Sequence, residues 1–487
     1  MDLKTYRKLF IGGEWVDPAT SSTIEVISPH TEEVVGRVPE AKEADVDRAV
    51  AAAREAFDRG PWPRMSPGER ADVMERLNGV LQARADEMAR TITTEMGCPI
   101  SSSLAVQVMS SSMVLDFYTR LAREFAFEDV RPGLLGPTLV RREPVGVVGA
   151  IIPWNVPLFV TMLKLAPALA AGAVVVLKPA PETPLDAMLL AEAVAEAGVP
   201  KGVVNIVAAG REVGEHLVKH PGVDKITFTG STAAGRRVAS LCGEQLKRVT
   251  LELGGKSAAI VLDDANLDET VTGLIPAGML NTGQACAAQT RILVSRRRYK
   301  EFVDALATAA AAFPVGDPMD PGTFYGPLVA KRQRERVEGY IAVGKKEGAR
   351  VTTGGGRPAG LAKGWYVEPT VFADVKNTMR IAQEEIFGPV LSVIPYESES
   401  DAVRIANDSD YGLSGSVWTA DVAHGIEIAK QVRTGTYTVN GFTIEFAGPF
   451  GGFKCSGVGR ELGPEGLAAY LELKAINAPM GYDLKAS

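Results

Sequence analysis

No run of this chain approaches the ~18 uninterrupted apolar residues that a membrane-spanning helix requires. The longest apolar stretch, residues 165–177, is interrupted by Pro167 and Gly172 and closed by Lys178. The first ten residues mix charged and apolar side chains and lack the apolar core of a secretory signal. Cysteine is scarce: Cys98, Cys242, Cys286 and Cys455 are scattered through 487 residues, with no CxxC pair and no metal-like Cys/His cluster. That usage argues against a disulfide scaffold and for free thiols in a reducing, cytoplasmic compartment. Histidine is equally scarce, four in all. His216 and His220 stand at helical i, i+4 spacing without an HExxH motif and read as a solvated helix face. No dense Lys/Arg block occurs, the formal net charge is −7, and the short run Arg296, Arg297, Arg298 is too small for a binding patch. Nucleic acid and membrane surfaces are therefore poor partners. A strict GxGxxG fingerprint is missing as well.

What is present is ordinary globular usage, 46% apolar and 23% charged, in a chain whose length suggests about three domains. Helical periodicity covers residues 43–58, 68–94, 184–197 and 299–312. Between these lie short β-branched segments at 145–152, 174–177, 203–207, 225–229, 258–261 and 290–294. The alternation resumes at 390–394, 414–418 and 435–439. Apolar strands of this length alternating with long helices imply parallel βαβ units, and their number fits two successive α/β sheets better than one. Residues 441–459 are glycine-rich but carry four phenylalanines, so they read as an ordered loop.

Five segments could carry chemistry. Cys286 lies among small residues, Asn281-Thr282-Gly283-Gln284-Ala285-Cys286-Ala287, which let a substrate approach a thiol; an inert buried cysteine fits the local context too. Glu252 sits between two leucines and ahead of two glycines, where desolvation would raise its pKa towards that of a general base. Gly255-Lys256-Ser257 looks like the end of a P-loop, but Thr250 stands where that motif needs glycine. Asn155 is flanked by Pro153 and Pro157, a rigidity suited to an oxyanion donor, although asparagine also makes local turn bonds. The predicted strand 225–229 runs into Gly230-Ser231 and a helix, a turn that can hold a pyrophosphate, while Lys178 ends a buried strand where it could reach a cofactor.

Taken together, these segments resemble the NAD(P)-dependent aldehyde dehydrogenase superfamily over essentially the whole chain. The motifs are Pro153-Trp154-Asn155, Lys178-Pro179, Phe228-Thr229-Gly230-Ser231, Glu252-Leu253-Gly254-Gly255-Lys256-Ser257 and Gly283-Gln284-Ala285-Cys286. Glu384-Glu385-Ile386-Phe387-Gly388-Pro389, Pro449-Phe450-Gly451-Gly452-Phe453-Lys454 and Ser456-Gly457-Val458-Gly459-Arg460-Glu461 follow in order. The resemblance implies a Cys286 nucleophile, an oxyanion held by Asn155, hydrolysis of a thioester by Glu252-activated water, and a proton-relaying Glu461. For the cofactor it implies Ile152, Trp154, Lys178, Gly230, Ser231, Glu385 and Phe387. Many members carry a ribose-clamping glutamate where this chain has Pro181, but Glu182 beside it would repel a 2′-phosphate, so NAD is favoured and NADP stays open. Val156, Val160, Leu163, Ala285, Ala287 and Phe450 would line an uncharged tunnel suited to hydrophobic aldehydes. A CoA-acylating relative is disfavoured by the presence of Glu252.

The architecture that the resemblance implies is two Rossmann-like α/β domains and a small β oligomerisation arm. Residues 1–124 and 145–254 would bind cofactor, residues 255–454 would form the catalytic domain, and residues 125–144 and 468–487 the arm. An edge strand near the C-terminus would suit a homodimer or homotetramer.

Overall fold

The β-branched runs assemble into two large, mainly parallel sheets and a small antiparallel one, with a three-stranded and a two-stranded sheet beside them. The chain is described here by a computed structural model over residues 3–484; residues 485–487 of the expected arm lie outside the described residues. The first sheet has eight strands in the order Gly457–Val458, Arg248–Glu252, Lys225–Thr229, Val147–Ile151, Val174–Lys178, Val204–Ile206, Leu9–Ile11, Glu14–Val16. Its five central strands are parallel. Val147–Ile151 and Val174–Lys178 are buried at every position, as parallel strands covered on both faces must be. The helix joining them, Pro157–Ala171, is buried at all of its residues, including one charged side chain, Lys164.

The second sheet has seven strands: Arg350–Thr353, Thr370–Ala373, Val390–Tyr396, Arg291–Ser295, Ala258–Val261, Gly415–Trp418 and Thr438–Val439. All but the first pairing are parallel. Two apolar clusters built around Ile260, Leu293 and Phe372, and around Ile292, Val294 and Val393, hold it to its helices. Leu471–Asn477, Thr138–Pro144 and Glu128–Arg131 form the third sheet, antiparallel throughout. The α/β class expected from the pattern is the class observed.

One helix departs from expectation. Residues 68–94 form two helices, Pro67–Ala83 and Ala85–Met96, with Arg84 at φ −104° and ψ 16° between them. The Arg84 guanidinium binds Glu87 and reaches Glu192 of the helix Leu185–Glu196.

The glycine-rich stretch 441–459 is fastened by two short antiparallel pairings, one in a separate two-stranded sheet and one at the edge of the first sheet. Phe453–Lys454 pairs with Tyr411–Gly412, and Gly457–Val458 pairs with Leu251 and Glu252. The second pairing brings the C-terminal segment, with Glu461, alongside the carboxyl end of the strand that carries Glu252.

Candidate active site

The chain leading to Cys286 turns sharply after the helix Leu267–Met279. Asn281 and Thr282 hold φ of 54° and 57°, and Gly283 follows at 71°. A β-branched residue in the left-handed region is strained by about 1–3 kcal/mol. At Gly283 any side chain is barred, since a Cβ would lie 2.1 Å from the Gly388 carbonyl oxygen. This packed turn delivers Cys286 to the wall of a cavity of about 320 Å3. Burial, then the charges of Glu385 and Glu252, push the thiol pKa up to about 12; the backbone N–H groups of Ala287 and Cys286 oppose them.

Thirteen of the seventeen residues singled out from the sequence line this one cavity. They are Cys286 and Asn155, the predicted tunnel residues Val156, Val160, Leu163, Ala285, Ala287 and Phe450, and Trp154, Gly230, Ser231, Glu385 and Phe387. The Asn155 amide nitrogen donates to the Gln284 carbonyl at 2.9 Å, which leaves its second N–H uncommitted. Its backbone oxygen accepts from the Asn281 amide at 2.9 Å, so the turn before Cys286 and the strand-to-helix bend at Asn155 are tied together. Trp154 and Phe387 meet edge to face at 5.3 Å. Ser231 caps the thirteen-residue helix Thr232–Glu244, its hydroxyl accepting from the Ala234 N–H at 3.3 Å. The positive end of that helix, with Gly230, opens on the cavity. Glu385 faces the same space, accepting from the Gly255 N–H at 2.9 Å, and burial raises its pKa.

The remaining four, Glu252, Glu461, Lys178 and Ile152, do not line the cavity. Glu252 ends its strand 2% exposed, and neither carboxylate oxygen has a hydrogen-bond partner. Burial, reinforced by Glu461, raises its pKa well above the usual carboxylate range. Glycine is required at position 451 opposite it, where φ is 152° and a Cβ would stand 2.6 Å from Glu252 Oε1. Glu461 is locked in a buried ion pair: Lys164 Nζ donates to its Oε1 at 2.5 Å and to Thr229 Oγ1 at 2.7 Å. Lys178 donates to the carbonyls of Pro179 and Ala209 at 2.9 and 2.8 Å, and burial lowers its pKa to about 8. Glu182, expected as a free repelling charge, is instead paired with Arg332.

Several lining residues carried no sequence signal. Gln107 belongs to the π-helical turn Ser103–Met109, Gln333 and Arg336 come from the helix Lys331–Lys346, and Phe442 and Ile444 come from the glycine-rich segment. Lys164 did have one: it is the single charge in an apolar helix.

A sequence model of the aldehyde dehydrogenase family matches residues 15–476. The chain is 50% identical over 474 residues to geranial dehydrogenase of Castellaniella defragrans, covering 97% of this chain and 98% of that one. An aldehyde dehydrogenase of Mycobacterium tuberculosis, solved with NAD+, superposes with a TM-score of 0.98 at 52% identity, over 99% of this chain and 100% of that one. A mutant of aldehyde dehydrogenase C from Pseudomonas syringae, solved with NAD+ and octanal, superposes at 0.95 with 43% identity, over 98% of both chains. The chain belongs to the aldehyde dehydrogenase family.

Proposed function

We propose that this enzyme oxidises hydrophobic aldehydes to carboxylic acids with NAD, through a thioester on Cys286. The observation that carries the reading is the convergence of a thiol, a rigid amide and an apolar cavity. Cys286 and Asn155 line the same space, whose other walls include Val156, Val160, Leu163 and Phe450. No charged side chain stands among the six predicted tunnel residues, so the part of the cavity they line, away from Glu385 and Arg336, favours apolar chains over charged ones. The octanal held by the Pseudomonas syringae relative is an aldehyde of that kind.

Cofactor fits the chain's own groups. The helix N-terminus at Gly230 and Ser231 suits a pyrophosphate, Lys178 and Glu385 are hydrogen-bonding groups for ribose, and Ile152, Trp154 and Phe387 offer apolar surface. NAD, when bound, supplies the hydride acceptor. With Arg332 neutralising Glu182, NADP is admitted as a weaker alternative.

The residues then divide the work. The Cys286 thiol first gives up its proton to solvent, against the burial that raises its pKa; the thiolate adds to the aldehyde carbon, and the free N–H of Asn155 with the Cys286 backbone N–H stabilises the oxyanion of the thiohemiacetal. After oxidation to the thioester, Glu252 takes a proton from water. The resulting hydroxide attacks the acyl carbon, the C–S bond breaks, and the acid leaves Cys286 as thiolate. A carboxyl held above its ordinary pKa by burial is a stronger base than a solvated carboxylate. Glu461, paired with Lys164, passes the proton onward.

The two parallel sheets support a division into cofactor residues 1–124 and 145–254 and catalytic residues 255–454. Residues 125–144 and 468–487, the last three outside the described residues, would make up the arm, where the exposed strand Leu471–Asn477 offers an open edge for a homodimer or homotetramer. The four cysteines, all free, suit a cytoplasmic setting. An aldehyde panel run with NAD and with NADP tests the reading. Octanal should exceed succinic semialdehyde in kcat/KM, and faster turnover of the charged aldehyde would overturn the substrate class.

A further inference from the structure

A second cavity lies behind the wall of the substrate cavity. It holds about 300 Å3, against about 320 Å3 for the first. The helices Pro67–Ala83, Ala85–Met96 and Pro157–Ala171 border it, together with the π-helical turn Ser103–Met109 and the helix Ser110–Glu124 that continues the turn. Leu81, Met88, Val108 and Leu158 supply apolar walls, and Met109 and Met113 stand at the rim, 55% and 54% exposed. None of its described lining residues is charged. Its polar members are committed to the protein. Gln82 Nε2 donates to Ser112 Oγ and Ser112 Oγ to Asn78 Oδ1, both at 2.8 Å, and the Ser111 hydroxyl donates to the Gln107 carbonyl. The surface left for a ligand is alkyl and thioether, and such surface gains dispersion contacts when an apolar chain fills it. Apolar cavities smaller than this one exclude water and take up apolar molecules.

The partition between the two cavities is one helix thick. Val106 and Gln107 face the substrate cavity, while the next two residues, Val108 and Met109, face the second. At the start of Pro157–Ala171, Leu158 faces the second cavity and Phe159 the first. The turn carrying Val106 and Gln107 is π-helical, a bulged geometry that recurs at functional sites. Space behind this turn lets it retreat when a bulky chain presses on Val106 from the substrate side. A close-packed core would not yield in that way.

We propose that the second cavity binds another molecule of apolar aldehyde, and that its occupancy holds Val106 and Gln107 forward and narrows the substrate cavity. The proposal rests on the apolar substrate class put forward above. Matching volume and aliphatic walls mean that a chain fitting the tunnel residues also fits the second cavity. Retreat of the turn and occupancy of the cavity exclude each other. That exclusion is the differential affinity by which a ligand shifts a conformational equilibrium. A long aldehyde therefore weakens its own binding as its concentration rises.

Methionine methyl groups report this site alone, because among the described residues three methionines line the second cavity and none lines the first. In enzyme labelled with [methyl-13C]methionine, the probe is 1-octanol, which lacks the aldehyde that Cys286 attacks. The Met88, Met109 and Met113 resonances should shift saturably with 1-octanol. Ala85→Phe, which fills the cavity, should abolish the shift. Met113→Glu, which sets a charge at the exposed rim without touching the core, should do the same to the Met88 and Met109 signals. In steady state with NAD, the octanal curve of the wild type should be biphasic, its apparent KM rising about fivefold, the low end for coupled sites. Both variants should give plain hyperbolas, as should the wild type with propanal, too short to press on the wall. Methyl groups that do not move, a hyperbolic wild-type octanal curve, or a biphasic curve unchanged in both variants would each overturn the proposal. If octanal is turned over well while the methyl groups stay still, the second site falls and the substrate class stands. If the methyl groups shift but octanal is a poorer substrate than succinic semialdehyde, the substrate class falls and the self-regulation falls with it.

Discussion

Replacing Glu461 by leucine strands the Lys164 ammonium in the core. The two side chains are 1% and 2% exposed, and among the described residues the only other partner of Lys164 Nζ is the neutral Thr229 hydroxyl. Breaking a buried pair by removing one member costs about 3–5 kcal/mol, because the survivor is left uncompensated. A ceiling comes from proton loss. Deprotonating a lysine of ordinary pKa near 10.4 at pH 7 costs about 4.6 kcal/mol. The ceiling drops by about 1.4 kcal/mol per pH unit, to about 1.9 kcal/mol at pH 9. The neutral amine becomes cheaper as pH rises, so the destabilisation of Glu461→Leu should shrink from pH 7 to pH 9. Urea unfolding followed by tryptophan fluorescence, at fixed protein concentration, reads this directly. The double variant Lys164→Met/Glu461→Leu removes both charges and should recover most of the loss. Stability of Glu461→Leu within about 0.5 kcal/mol of wild type would refute the reasoning. So would a loss that grows with pH, or a double variant no better than the single.

Glu252→Gln should leave acylation intact and slow deacylation about 10²–10⁴-fold, seen as a stoichiometric NADH burst followed by near-arrest. In the wild type, deacylation should fall as pH drops through the raised Glu252 pKa, because the protonated carboxyl cannot accept a proton from water. An inflection at an ordinary carboxylate value of about 4.3 would contradict that burial. Arg332→Glu should lower kcat/KM for NADP about tenfold more than for NAD, by removing the charge that neutralises Glu182. An unchanged NADP/NAD ratio would place Glu182 away from the cofactor.

The alternation of short apolar strands with long helices was readable because parallel strands are buried on both faces, and 225–229 and 258–261 match the observed strands in full. The break at Arg84 was not, since no glycine or proline marks it in the sequence. Glu252 carried its own signal, a carboxylate wedged between leucines. Cys286 did not. Only the order of motifs distinguished it from an inert core thiol, because the turn that exposes it is closed by Gly388. The partnership of Glu252 with Glu461 depends on the pairing of Gly457–Val458 with Leu251–Glu252, a contact across two hundred residues that no local pattern encodes.

The central claim is that Cys286 carries the acyl group. Rapid quench of Glu252→Gln with octanal and NAD, followed by peptide mass spectrometry, tests it. The account predicts an octanoyl increment on the peptide containing Cys286, stoichiometric with the NADH burst and absent from Cys286→Ala, which should show no turnover. An acyl group on another residue, or sustained turnover by Cys286→Ala, would contradict it.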